Sequence, residues 1–300
     1  MTLTQFQVFA AVVDAGSFTE AARALGMTQS SVSQAIASLE AELGVSLLTR
    51  SREGVTLTEI GARLIIHVRE VLNRTERMRQ EAAASVGLEI GRLRLGSFSS
   101  VFSRLLPGII GAFRRRHPGI TVVLLEGTDR EVRDWVLAGV VDVGLVTLPI
   151  EGVESIVIAQ DDMRAIVPAG HPLATQPAVR PAQLGPEPFI LPQGGCGPLI
   201  RAIFRAAGIT PRVQFDVRDM ATLFAMVQEE LGVTLVPALA LPLAPIGGVR
   251  ALPLEPPVQR PIGLVVRSRD AASPAVTAFI HQARAWAKAH GYGRESCTQG

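Results

Sequence analysis

The sequence predicts an α/β chain in two parts: a small helical N-terminal unit closed by a β-hairpin, and a longer remainder of alternating strands and helices. Apolar residues recur at helical spacing from Leu3 to Leu43, and two short β-prone runs around Gly54 follow. One helical pattern then runs unbroken from Glu59 to about Ala84. From Arg92 onward, short apolar runs of strand character alternate with amphipathic helical stretches.

Composition bounds the rest. A chain of 300 residues, 48% of them hydrophobic, can bury more than one core. No stretch approaches the ~18–20 unbroken apolar residues that span a bilayer. The opening Met1-Thr2-Leu3-Thr4-Gln5 lacks a basic segment followed by an apolar one. Two cysteines, Cys196 and Cys297, make no disulfide framework, so the expected location is the cytoplasm, with no membrane partner. The net charge of +2 does not announce a nucleic-acid partner. Lys288 is the single lysine, a bias we assign to genomic composition.

In the N-terminal unit, Leu3, Phe6, Phe9, Ala10 and Val13 share a helical face, and Gly16 ends that helix. Ser17 caps a second helix, Phe18 to Leu25, and Thr28 opens a third. In the third, Val32, Ile36, Leu39 and Leu43 face inward and leave Gln29, Ser30, Ser33 and Gln34 on its outward start. Two short helices joined by a glycine-containing turn, then a polar helix start, form a helix-turn-helix. A helix that enters the major groove needs short polar side chains there. Glutamine bonds adenine bidentately, and serine serves several bases or phosphates. The candidate DNA contacts are Thr28, Gln29, Ser30, Ser31, Ser33 and Gln34. The runs Val45 to Arg50 and Val55 to Thr58, turning at residues 51–54, make a wing that places Arg50 and Arg52 where it meets the DNA backbone or minor groove; solvated hairpin arginines are the alternative. One count runs the other way. Through Thr58, Arg23, Arg50 and Arg52 face Asp14, Glu20, Glu40, Glu42 and Glu53, so the acids must be kept off the contact face.

The run from Phe18-Thr-Glu-Ala-Ala-Arg-Ala-Leu-Gly-Met-Thr-Gln-Ser-Ser-Val-Ser-Gln to Leu47-Leu-Thr-Arg50, with Val55-Thr-Leu-Thr-Glu-Ile-Gly61 after it, closely resembles the LysR-type transcriptional regulators. Leu48 stands where an aromatic is usual, and Thr49 is less common there. The resemblance implies a winged helix-turn-helix on double-stranded DNA, a homodimer with homotetramers frequent, and a regulatory domain that binds a small-molecule effector. RNA polymerase is a further expected partner.

Thr58 caps the long helix, and Glu59 suits its N-terminal dipole. Ile60, Leu64, Val68, Val71, Thr75 and Met78 step by three or four, the spacing of a coiled-coil seam. We read Ile60, Leu64, Val68, Val71 and Met78 as a dimerisation stripe, because so long a helix after a small wing has little else to pack against. Paired units would match palindromic half-sites. An amphipathic helix packed on its own domain is the alternative.

The expected organisation is a DNA-binding domain over 1–58, a linker helix over 59–84, a hinge over 85–91, an effector-binding domain over 92–291 and a disordered tail over 292–300. Within the effector-binding domain, lobe I takes about 92–161 and 262–291, and lobe II about 162–261. The βαβαβ order of its first part implies a parallel sheet. Two lobes joined by crossing strands resemble the family's regulatory domain, which shares its architecture with type 2 periplasmic binding proteins. Ligands on open α/β sheets bind beyond the carboxyl ends of strands. That rule selects Ser97, Ser99, Ser100, Thr128 and Thr147 from the first part, and Gln193, Gly195 and Cys196 from the second. Hydroxyls and free amides at helix starts favour a carboxylate or other small anion. Helix capping alone is the competing role of Ser99, Ser100 and Thr128.

Other features resolve more plainly. Arg114-Arg115-Arg116-His117 is a solvated helix C-terminus, and Arg218 serves either a ligand carboxylate or a surface ion pair. Cys196 is a small residue of the pocket rather than a redox switch, since Cys297 lies in the tail. His67, His117, His171, His281 and His290 lack metal-ligand spacing, and neither a nucleophile elbow nor a nucleotide fingerprint is present. The expected protein is therefore no enzyme and needs no cofactor or metal. A stand-alone solute-binding protein would need a signal peptide and no helix-turn-helix. Effector binding is expected to change how dimers pair and so how their DNA-binding units are spaced.

Overall fold

The computed structural model describes residues 1–51, 54–85, 90–193 and 195–292, without the side chains of Arg50, Ser51 and Phe102. Arg52, most of the hinge, Gly194 and nearly all of the tail with Cys297 therefore lie outside the described residues. The chain divides into two compact units: Met1–Gly91 with Ala138–Val140, and Arg92–Leu137 with the described residues from Val141 onward.

In the first unit, α1 (Leu3–Ala15), α2 (Phe18–Leu25) and α3 (Gln29–Leu43) are capped by Thr2, Ser17 and Thr28 and closed by Gly16, Gly26 and Gly44. The three glycines have φ between 61° and 69°, a region that disfavours any side chain. Val8, Phe9, Val12, Val32, Ile36, Leu39 and Leu47 fill the core with almost no exposed surface. Strands β1 (Leu48–Ser51) and β2 (Gly54–Leu57) pair antiparallel, and the Val55 amide donates to the Gly16 carbonyl. Helix α4 (Glu59–Ser85) then starts close against Leu47, just before β1. The Thr58 hydroxyl donates to the Ser46 carbonyl and accepts from the Gly61 amide. A Cβ on Gly61 would stand 2.1 Å from the Leu47 carbonyl oxygen.

The seam expected along α4 divides. Val68 is buried in the core of its own unit together with Ile65, and Leu64 and Leu72 pack against that core. Ile60 is half-buried, while Val71 and Met78 are 40% and 69% exposed. The first turns of α4 do find a partner in α1 and the hairpin, which the spacing of apolar residues could not distinguish from a second chain.

The second unit opens with β3 (Gly91–Ser97), α5 (Ser99–Arg104), α6 (Leu106–Arg116), β4 (Ile120–Glu126), α7 (Asp129–Leu137) and β5 (Val143–Thr147). Between β3 and Arg116 the chain forms two helices rather than one. Pro107 supplies no amide for the ladder, and the chain turns at Leu105. There follow β6 (Glu154–Pro168), α8 (Pro181–Leu184), β7 (Pro188–Pro192), α9 (Gly197–Ala206), β8 (Arg212–Val217), α10 (Met220–Gln228), β9 (Thr234–Pro237), β10 (Val249–Pro253), β11 (Gln259–Val266) and α11 (Pro274–Ala289).

In the first part β3 and β5 pair parallel, as the βαβαβ order implies, while the sheet as a whole is mixed. Its order is β10-β6-β11-β5-β3-β4, with β9 also on β6. Strands β3 and β5 are parallel, but β11 runs antiparallel to both β5 and β6 because the chain returns to the first lobe from the opposite end. Strands β7 and β8 form a separate parallel pair. The 15-residue β6 feeds both lobes: Ile158 and Ala159 lie in the first lobe's core, and Met163, Ala165 and Val167 lie in the second's. Ile166 points the other way, into a third cluster with Phe224 and Val236, as strand alternation requires. The crossing between lobes therefore falls at Gln160 to Asp162, in the middle of one continuous strand.

Candidate functional site

The start of α3 is built from its cap outward. Thr28 Oγ1 accepts the Ser31 amide at 3.1 Å and lies 2.9 and 2.8 Å from the hydroxyls of Ser30 and Ser31. Gln29, Ser30, Ser31 and Gln34 are exposed and Ser33 is half-buried, while Val32 and Ile36 beneath them are sealed. Three hydroxyls thus form one hydrogen-bonded group beside two exposed amides, on a helix held rigidly from below. Of the wing residues, Arg50 is placed in β1 by its backbone, opposite Val55. Arg52 falls outside the described residues.

The surplus of acids in this unit has a structural answer. Asp14 pairs with Arg69, Glu20 with Arg23, and Glu42 with the terminal amine of Met1. Glu40 accepts the amides of Leu47 and Leu48, at 2.7 and 3.2 Å, and so ties the end of α3 to the start of the wing. Each of these four carboxylates has a partner within its own unit, and Glu53 falls outside the described residues.

Within the second unit, a cleft of about 860 Å³ lies between the lobes. Ser99, Ser100, Thr128, Gln193, Gly195 and Cys196 all line it. Ser97 and Thr147 do not. Ser97 is fully buried with its hydroxyl toward the Phe98 carbonyl, and the Thr147 amide donates to Asp129 Oδ1 at 2.9 Å. Thr128 donates from both its amide and its hydroxyl to Glu131 Oε2 and accepts the Glu131 amide, so it caps α7 as well as lining the cleft. Those bonds hold the Glu131 carboxyl below its usual range. Asp219 is lowered in the same way by the Thr222 amide and hydroxyl at the start of α10. Gln193 Nε2 is held by Asp216 Oδ1 at 2.6 Å.

The floor of the cleft contains residues that pattern reading passed over. Arg260, only 3% exposed, donates Nε and Nη2 to Asp161 Oδ2 at 2.9 and 2.7 Å. Its Nη2 also reaches Ser100 Oγ at 2.8 Å, and its guanidinium sits 5.0 Å from the Phe98 ring centre. Asp161 Oδ1 accepts the Leu239 amide. Burial pushes the Asp161 carboxyl up, and Arg260 pulls against it. The residues pair directly across β6 and β11, at the point where the chain crosses between lobes. A signal for Arg260 existed in the sequence: it shares strand parity with the sealed Ile262, Leu264 and Val266.

Cys196 lines the cleft, and Asp129 lies behind Gly195 beside it. Burial lifts the Asp129 carboxyl, against hydrogen bonds from Thr147 and the charge of Arg260. A Cβ on Gly195 would stand 3.2 Å from Asp129 Oδ2, so the glycine lets the second lobe's loop lie close against this carboxylate. The Cys196 thiol is also pushed up by burial, with Arg260 opposing. Among the described residues, no group of histidine, cysteine or acidic side chains is placed to hold a metal, and no helix is long and apolar enough to cross a membrane.

Both parts of the chain match known protein families. Residues 3–62 match the family of bacterial regulatory helix-turn-helix proteins of the lysR family, and residues 87–288 match the LysR substrate binding domain. The uncharacterized HTH-type regulator YvbU of Bacillus subtilis is 38% identical over 286 residues, covering 95% of this chain and 98% of that protein. A probable hydrogen peroxide-inducible genes activator of Mycobacterium avium is 32% identical, covering 89% and 88%. Full-length CbnR, solved in complex with its target DNA, superposes with a TM-score of 0.65 at 27% identity, covering 95% of this chain and all of that one. An exposed, capped helix start joined in one chain to a two-lobed α/β cleft, with both parts matching, makes this chain a member of the LysR family of bacterial transcriptional regulators.

Proposed function

We propose that the start of α3 reads operator bases through Gln29, Ser30, Ser31, Ser33 and Gln34, with Thr28 holding the cap and Arg50 and Arg52 on the phosphates. In this reading the interlobe cleft takes a small effector bearing at least one anionic group. The observation that carries the reading is the exposed polar start of α3 above a sealed apolar face, in a unit where Asp14, Glu20, Glu40 and Glu42 each have an internal partner. The chain acts by binding and not by catalysis, without metal or cofactor. It works in the cytoplasm as a homodimer or homotetramer, through α4 residues such as Val71 and Met78, and meets RNA polymerase at the promoter. Effector binding alters how dimers pair and so the spacing of their DNA-binding units. Mobility shifts on the DNA upstream of the gene itself, in rising salt, test the regulator. Sequence preference over random DNA is expected, and its absence overturns the reading.

A second reading rests on Cys196. The Mycobacterium avium relative is named for hydrogen peroxide, and this thiol lines the cleft near the charge of Arg260. Burial favours the thiol over the reactive thiolate, which weighs against it. Footprints with and without peroxide separate the two. A change lost in Cys196→Ser supports the thiol, and footprints indifferent to peroxide leave the small-molecule effector.

A further inference from the structure

Charge in the cleft is divided between its floor and its rim, and the division selects a class of ligand. On the floor, Arg260 spends Nε and Nη2 on Asp161 and Ser100, and Nη1 has no hydrogen-bond acceptor among the described residues. Ser100 Oγ accepts from Arg260, so its own proton is free to be donated elsewhere. A buried guanidinium N–H and a hydroxyl proton on directly bonded neighbours form a two-donor seat for a carboxylate.

The rim carries the opposite sign. Glu126, Glu131 and Asp219 line the cleft against Arg218 and Arg260, and the charge of Arg260 is already offset by Asp161 behind it. Glu131 and Asp219 are occupied as helix caps, but Glu126, exposed at the end of β4, has no partner among the described residues. A dicarboxylate seated on Arg260 and Ser100 would turn its second charge toward this surplus of acids. A molecule with one carboxylate and one ammonium meets a complementary group at each end.

We propose that the effector is a small zwitterion of the α-amino-acid type, its carboxylate on Arg260 Nη1 and the Ser100 hydroxyl and its ammonium toward Glu126. This rests on the reading of the cleft as the effector site and narrows the anion expected there to a molecule of no net charge.

Thermal shift and calorimetry on the full-length protein test it, with the proteinogenic α-amino acids as probes. Each ligand found is compared with its des-amino carboxylic acid, its decarboxylated amine, and succinate. At least one amino acid should raise the melting temperature, and removing either charged group should weaken binding about tenfold or more. Ser100→Ala should weaken that amino acid by a similar factor. Glu126→Gln should weaken the amino acid but not its des-amino analogue. Both substitutions are at partly or fully exposed positions and leave the Arg260–Asp161 pair in place. Equal or tighter binding of amine-free carboxylates overturns the zwitterion, and if Ser100→Ala weakens those the cleft remains the effector site. Binding by none of the probes, or binding indifferent to Ser100→Ala, overturns the placement as well.

Discussion

At the scale of single residues, the two sites call for different experiments. Gln29 and Gln34 are exposed amides on α3, and each good bidentate base contact discriminates by about 1–3 kcal/mol. Gln29→Ala and Gln34→Ala should therefore lower affinity for the operator roughly tenfold or more while leaving binding to random DNA and its salt slope unchanged, as fluorescence anisotropy would measure. Equal losses on both DNAs would assign these residues to the backbone. Asp129 makes a prediction of opposite kind. Its carboxyl is raised by burial above its ordinary 3.8, so the folded chain takes up this proton more readily than the unfolded one. The stabilisation is complete below 3.8 and is lost as pH rises through the folded value. In denaturant titrations, the wild-type chain should gain stability relative to Asp129→Asn as pH falls from neutral, and parallel profiles would refute this. Glu131 and Asp219 act the other way, since lowered carboxyls stabilise above their ordinary values and lose that as pH falls through their folded ones.

At the scale of elements, the contact between the start of α4 and Leu47, just before β1, sets the wing. Gly61→Ala would drive a methyl into the Leu47 carbonyl, and overpacking of this kind costs about 1–3 kcal/mol. Loss of N-terminal unit stability, read by hydrogen exchange on α1 and α3, is the expected result; an unchanged profile would mean that the hairpin shifts freely. The same elements show what the sequence makes legible. Helices α1 to α3 follow from three capping hydroxyls and three glycines, each with a local backbone reason. Strand β6 and the start of β11 were harder, because Asp161, Asp162 and Arg260 interrupt apolar runs in a way that reads as a strand end. Burial of that interruption depends on a partner about a hundred residues away, which no local window contains. The cleft was legible at its helix starts, through Ser100, Thr128 and Cys196, and hidden at its floor for the same reason. The division of the α4 seam was hidden too, since Val68 and Met78 have the same spacing but different surroundings.

For the whole molecule, the dimer proposed through α4 now rests on the residues left uncovered. Val71 and Met78 are exposed apolar side chains further along the stripe that begins with the buried Val68. The double substitution Val71→Glu, Met78→Glu should shift the assembly toward monomers in sedimentation velocity and weaken operator binding more than random-DNA binding, with the thermal stability of the second unit unchanged. Retention of the wild-type sedimentation coefficient would move the interface elsewhere.

The Arg260–Asp161 pair also has a history to predict. Loss of either partner alone leaves an uncompensated buried charge, which costs about 3–5 kcal/mol. A lineage can seldom pass through such a single step, so the pair should be inherited or exchanged as a unit, and an alignment of relatives should show the two positions changing together. Independent drift at the two would contradict it. Glu126 and Arg218, exposed on the rim, carry no such penalty. Selection can therefore retune what the cleft accepts at its mouth while the floor stays fixed, so that new effector specificities arise on an unchanged anchor.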